Sequence, residues 1–125
     1  MRGARRGHSR RPEQVAETVR QVVADALLRD EVRDPRVVSG ITVTAVRVTS
    51  DLSHARVLVS VPGDEAARAR AVEGLQSAAG FLRTRAARAL TTHSVPELHF
   101  ELDTGLEHAA RIDELLSEIR REGQG

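Results

Sequence analysis

The sequence predicts an α+β fold of order α-β-β-α-α-β-α, with a three-stranded mixed sheet carrying helices on one face. Three observations predict it. Apolar residues recur at three- and four-residue spacing near both ends and in the middle of the chain, the period of one helix face. Three short runs alternate apolar and polar residues, the period of a half-buried strand. Gly, Pro, Asp and Ser mark the junctions. With only three strands, the helices must cover one face of a small sheet.

Residues 1–11 carry Gly, Arg and Ser without apolar periodicity and read as a flexible basic arm. Pro12 suits the first turn of a helix, where its missing N–H costs nothing. Val15, Val19, Val22, Val23, Ala26 and Leu27 then form one stripe, so a first helix is expected from about Pro12 to Asp30. Asp34-Pro35 blocks helical continuation, because a residue before proline avoids the α region.

Ile41, Val43 and Ala45 alternate before the phase slips to Val46 and Val48, which predicts a bulge near Ala45. Ser50-Asp51-Leu52-Ser53 reads as a hairpin loop. Ala55, Val57, Val59 and Val61 alternate cleanly. Pro62-Gly63-Asp64 ends that strand, and Asp64 is a good N-cap for the Ala-rich stretch that follows.

Ala67, Ala71, Leu75 and Ala78 share one helical stripe. Leu82, Ala86, Ala89 and Leu90 share another, and two helices are expected to meet at Ala78-Ala79-Gly80. Leu98, Phe100 and Leu102 alternate with Glu97, His99 and Glu101 in a third strand, with Pro96 at its start. Thr104 to Glu107 spells a capping box. Ala109, Ile112, Leu115, Leu116 and Ile119 then define a last amphipathic helix. Residues 12–120 are expected to form one domain, and residues 121–125 a frayed end.

Composition narrows the chemistry. The 125 residues contain no cysteine, which removes disulfides, thiolate metal sites and cysteine nucleophiles. No apolar run is long enough to span a bilayer, and no apolar stretch follows the basic start, so neither a membrane span nor a signal peptide is expected. A cytoplasmic location is the simplest expectation. All 19 basic residues are arginine, and the net charge is only +1. The charge is nevertheless polarised: Arg2, Arg5, Arg6, Arg10 and Arg11 precede every acidic residue, an arrangement that can orient a protein on a polyanion.

No nucleophile elbow and no phosphate-binding glycine loop is present. His8, His54, His93, His99 and His108 show no metalloprotease spacing. His93 and His99 flank the third strand's start, a weak metal pointer, and a hydrolase using His93 and Glu97 is remote. The expectation is a non-enzyme with no cofactor and no metal. The chain has two Phe and no Trp or Tyr, and both Phe81 and Phe100 fall at positions read as core. A base-stacking platform is therefore not expected.

The junction between the middle helices fits RNA better. Ser77, Ala78 and Ala79 before Gly80 would let a phosphate backbone come close. A helix starting at Phe81 would present free N–H groups there. Arg83, Arg85 and Arg88 follow on that helix. The same residues also suit a helix C-cap with snorkelling arginines.

Several stretches resemble ribosome-binding factor A. Asp34-Pro35-Arg36 is similar to that family's D-P-R signature. Val46-Arg47-Val48-Thr49-Ser50-Asp51-Leu52 followed by Ala55-Arg56-Val57 resembles its first hairpin. Ala78-Ala79-Gly80-Phe81-Leu82-Arg83 resembles its A-x-G helix–kink–helix, and Val95-Pro96-Glu97-Leu98-His99-Phe100 its V-P-E-L-x-F strand. Arg111-Ile112 and Leu115-Leu116 fit its closing helix. The resemblance implies a type II KH fold in which the A-x-G kink replaces the usual G-x-x-G loop. It implies binding to the free small (30S) ribosomal subunit, late maturation and 5′-end processing of its 16S rRNA, and importance in the cold. It also implies an assembly GTPase as companion. Ala78, Ala79 and Gly80 carry over as the kink. Arg83, Arg85, Arg88, Arg2, Arg5, Arg6, Arg10 and Arg11 are assigned to RNA on charge. A monomer is expected. The competing reading is a protein–protein adaptor using the sheet face or a helix groove.

Overall fold

The computed structural model describes residues 11–90 and 94–124, with the side chains of 106–112 and 124 outside that description. Helix α1 (Pro12–Leu28) begins with Pro12 in its first turn and buries Val15, Val19, Val23 and Ala26 completely. Val22 and Leu27 are half-buried beside them. The helix stops two residues short of the expected Asp30, and Asp34-Pro35 is not what stops it. Asp30 adopts φ 56°, its N–H donates to the Leu27 carbonyl (3.2 Å), and the Glu31 N–H donates to the Ala26 carbonyl (2.8 Å). This Schellman closure satisfies the last carbonyls and turns the chain at Asp30, a residue type that tolerates the left-handed region.

Strands β1 (Thr42–Val48) and β2 (His54–Ser60) pair antiparallel. The register steps from Val43↔Val59 to Ala45↔Leu58, so Thr44 is the extra residue of the bulge signalled by the phase slip. Its hydroxyl donates to Asp103 Oδ2 (2.6 Å), beyond the far end of β3 (Glu97–Leu102). In the hairpin loop, Asp51 Oδ1 accepts from the Thr49 and Ser53 hydroxyls at 2.7 and 2.6 Å and from the Ser53 N–H at 3.1 Å. These bonds, the Ser53 hydroxyl first, hold its carboxyl at a pKa of about 2. Strand β3 pairs parallel to β2, giving the order β1-β2-β3.

Asp64 caps helix α2 (Glu65–Ser77) by accepting from the Ala67 N–H at 2.8 Å. Helix α3 (Ala79–Ala89) follows after a single residue. Gln76 on α2 reaches the open edge of β3: its Nε2 donates to the Leu98 carbonyl and its Oε1 accepts from the Phe100 N–H, both at 2.9 Å. One amide side chain thus supplies the bonds a fourth strand would supply.

The core lies between the helices and one sheet face. Ala55, Val57 and Val59 of β2 and Leu98 and Phe100 of β3 meet Ala71 and Leu75 of α2 and Leu82 and Ala86 of α3. Ala89, expected on that face, is exposed. The opposite sheet face is open to solvent and carries His54, Arg56, Glu97 and His99. The last helix, α4 (Gly105–Gln124), follows β3. Residues 113–123 are all exposed, including Leu115, Leu116 and Ile119. Ala109 and Ile112 of the expected stripe lie outside the described side chains, as do Arg111 and the capping-box residue Glu107. The bond described at this helix start runs from the Gly105 N–H to Asp103 Oδ1 (2.9 Å).

Candidate nucleic-acid interface

The interruption between α2 and α3 falls at Ala78, with φ −88° and ψ 1°. Its N–H is shared between the carbonyls of Gly74 (3.1 Å) and Leu75 (3.0 Å), and its carbonyl accepts from the Leu82 N–H (3.0 Å). The Leu82 N–H thus makes the first bond of the α3 ladder. The amides of Ala79, Gly80 and Phe81 precede the ladder, the position where a helix offers donors to an anion. The helix expected from Phe81 thus starts two residues earlier, and Gly80 lies inside its first turn. Ala78 and Ala79 are half-buried against the core, whereas Gly80 is exposed and a Cβ there would meet nothing within 4 Å.

Phe81 lies off the buried face of α3. Leu82 and Ala86 point inward, and Phe81, about 100° away on the helix, is 44% exposed rather than core. The Arg85 guanidinium lies 4.9 Å from the centre of its ring. Arg85 also donates to Glu31 Oε1 at 2.7 Å, the residue that the Schellman turn brings to this side. Arg85 is therefore a half-buried, internally paired side chain and not the solvent-facing cation its helical position suggests.

The three arginines do not form one patch. Residues two apart on a helix point to nearly opposite sides. Arg83 faces away from Arg85 and donates through Nε and Nη2 to the Val95 carbonyl (3.2 and 2.8 Å), tying α3 to the entry of β3. Arg88 lies one turn beyond Arg85, is exposed, and forms no hydrogen bond or ion pair among the described residues. Arg11 is exposed at the start of α1. Arg2, Arg5, Arg6, Arg10 and His93 lie outside the described residues.

The Asp34-Pro35-Arg36 segment packs against α2 just before the kink. Asp34 accepts from the Arg36 side chain at 3.0 and 2.8 Å and from its N–H at 2.9 Å, and Arg36 reaches on to the Ser77 hydroxyl at 3.1 Å. The Arg36 guanidinium, then its backbone N–H, holds the Asp34 carboxyl at a pKa of about 2. Close approach requires Gly74: a Cβ there would sit 3.0 Å from Val37 Cγ2, 3.1 Å from Arg36 Cβ and 3.2 Å from Asp34 Oδ1. Between this segment and the kink lies an open cavity of about 320 Å³, lined by Glu31, Val32, Arg33, Asp34, Ser77, Ala78 and Phe81. Sequence reasoning missed Glu31 and Phe81 as parts of this surface. Both depend on how the α1 turn meets α3, which local periodicity does not encode.

The architecture defines a class of small α+β proteins in which a helix pair, broken at one residue, covers a three-stranded mixed sheet. A sequence model of ribosome-binding factor A matches residues 11–116. The chain belongs to the ribosome-binding factor A family. It is 45% identical over 111 residues to ribosome-binding factor A of Desulforamulus reducens, covering 89% of this chain and 91% of that one. The crystal structure of ribosome-binding factor A from Thermus thermophilus superposes with a TM-score of 0.60 at 26% identity, over 73% of this chain and 94% of the other. A homology model of the Thermus thermophilus protein, fitted into the cryo-EM map of a 30S complex, matches with a TM-score of 0.54 at 26% identity, over 69% and 88%. Among the described residues, no helix is long and apolar enough to cross a membrane.

Proposed function

We propose that this chain binds the free 30S subunit as a type II KH-like RNA-binding protein and assists late maturation and 5′-end processing of 16S rRNA, without catalysing a reaction itself. The observation that carries this reading is membership of a family in which a relative of similar fold has been fitted into a 30S complex. The geometry supports it at the kink. The first-turn amides of α3, the open space at Gly80 and the exposed Arg88, unpaired among the described residues, together suit a phosphate backbone.

Residues 12–120 supply the binding domain, and the arginines of residues 1–11 add affinity without reading sequence. The protein acts in the cytoplasm as a monomer, by occupying an immature rRNA conformation. Its release falls to another factor, such as the assembly GTPase implied by the family. Loss of the gene is expected to slow growth most in the cold.

Sedimentation of cell lysate tests the reading. The protein should travel with free small subunits, and recovery mainly with translating ribosomes would refute it. The adaptor alternative draws on one observation, the exposed apolar side chains Leu115, Leu116 and Ile119 of α4. Salt separates the two, since a phosphate interface weakens steeply with ionic strength and an apolar one does not.

A further inference from the structure

We propose that His54, Glu97 and His99 form a binding site for a divalent transition metal, of the chemistry that takes Zn²⁺, on the open face of the sheet. The parallel register of β2 and β3 builds it. His54 is the register partner of Glu97, and His99 lies two residues along β3 on the same face, opposite Arg56. All three side chains are exposed, on the side of the sheet away from the helices.

Their donor atoms converge. His54 Nδ1 and His99 Nε2 are 3.1 Å apart, and Glu97 Oε1 lies 3.9 Å from the first and 3.7 Å from the second. All lie within 4.8 Å of one another. Zinc–ligand bonds of about 2.0–2.1 Å at tetrahedral angles place neighbouring donors roughly 3.3 Å apart. The two imidazoles are thus spaced for a shared ion, and the exposed Glu97 side chain needs a swing of only a few tenths of an ångström.

Two imidazoles and a carboxylate are a donor set suited to zinc and its first-row neighbours, and they leave at least one position for water or another ligand. The neighbouring charges favour the site. Arg56, the register partner of His99, is held by Glu101 through two bonds of 2.9 and 2.7 Å, so it does not compete for Glu97. His54 and Glu97 also line a polar cleft of about 440 Å³ with Asp51, Ser53, Arg83 and Ser94, which leaves room for a hydrated ion.

Without an ion, the two imidazoles can share one proton as donor and acceptor. Calorimetric titration of chelator-treated full-length protein with Zn²⁺ separates that arrangement from a metal site. The wild type should bind one ion per chain. His54→Gln and His99→Gln should each lose about tenfold or more in affinity, at least the loss seen when only a supporting partner of a ligand is removed. His8→Gln, His93→Gln and His108→Gln should bind like wild type, with native circular dichroism throughout. In the wild type, substoichiometric Zn²⁺ should shift the imidazole NMR signals of His54 and His99 before those of the other histidines, a readout that needs no variant to fold. The proposal is overturned if the wild type binds no ion, if the His54→Gln, His99→Gln double variant retains affinity, or if the loss follows His93 instead.

Discussion

Two glycines six residues apart have opposite roles. Gly74 is where the Asp34-Pro35-Arg36 segment touches α2, and an added methyl would press on two side-chain carbons and a carboxylate oxygen. Gly74→Ala should destabilise the protein by about 1–3 kcal/mol, the usual cost of overpacking. At Gly80 the space is open and φ is not positive. Gly80→Ala should leave stability unchanged or raise it by up to about 1 kcal/mol through helix propensity. Urea melts of the two variants check both, and equal effects would refute this account of the kink. Gly80 substitutions therefore probe close approach of RNA without disturbing the fold. Asp34 adds a pH dependence. Its folded carboxyl titrates near 2, below the ordinary 3.8, so its contribution is full above pH 3.8 and is lost as the pH falls towards 2. Asp51 behaves alike over the same window. The urea midpoint of the wild type should fall across that range. Asp34→Asn should flatten the fall, and Asp34→Asn with Asp51→Asn should flatten it further.

At the scale of elements, the sequence signals that survived are those a single segment carries. The α1 stripe depends only on helical period, and the bulge at Thr44 only on a phase slip within one strand. What failed depends on two segments meeting. Helix α3 starts at Ala79 and not at Phe81, although the break before it lies within the expected Ala78-Ala79-Gly80 junction. The break falls at Ala78, where the Asp34-Pro35-Arg36 segment packs beside the end of α2 and Arg36 bonds Ser77. Phe81, read as core, instead lies off the buried Leu82 and Ala86 face and meets Arg85. The His54–His99 contact joins residues 45 apart through a parallel register that no local pattern records. Gln76 is a further case: nothing in an alanine-rich helix marks it as the clasp of a strand edge. Gln76→Ala should cost about 1–3 kcal/mol for two lost bonds, each net about 0.5–1.5 kcal/mol. Hydrogen exchange at the Phe100 amide should quicken, while amides at the β1–β2 pairing should slow or quicken only with global stability. Unchanged protection at Phe100 would show that the Gln76 bonds do not hold the edge.

At the scale of the whole molecule, the charges of the proposed interface are spread over several elements and differ in availability. Arg83 and Arg85 are committed to Val95 and Glu31, so reversing either changes internal contacts along with any binding. Arg85→Glu in particular would set two carboxylates against each other, which makes the pair Arg85→Glu and Arg88→Glu a poor probe. Arg88 is the clean position, because it is exposed and unpaired among the described residues and surface changes cost little stability. Binding of free small subunits should be measured against salt concentration. For the wild type, log affinity should fall linearly with log salt, with a slope near −0.9 per neutralised phosphate on duplex and about −0.7 on single strands. Arg88→Glu should weaken binding and reduce the slope by about one unit. Deleting residues 1–11 removes five arginines and should reduce the slope further, by up to about four units, while weakening all RNA sites alike. A shallow slope in the wild type would instead place the contact on the apolar face of α4. A steep slope untouched by both changes would place it on the open sheet face around Arg47 and Arg56, the remaining arginines of the β1–β2 pair.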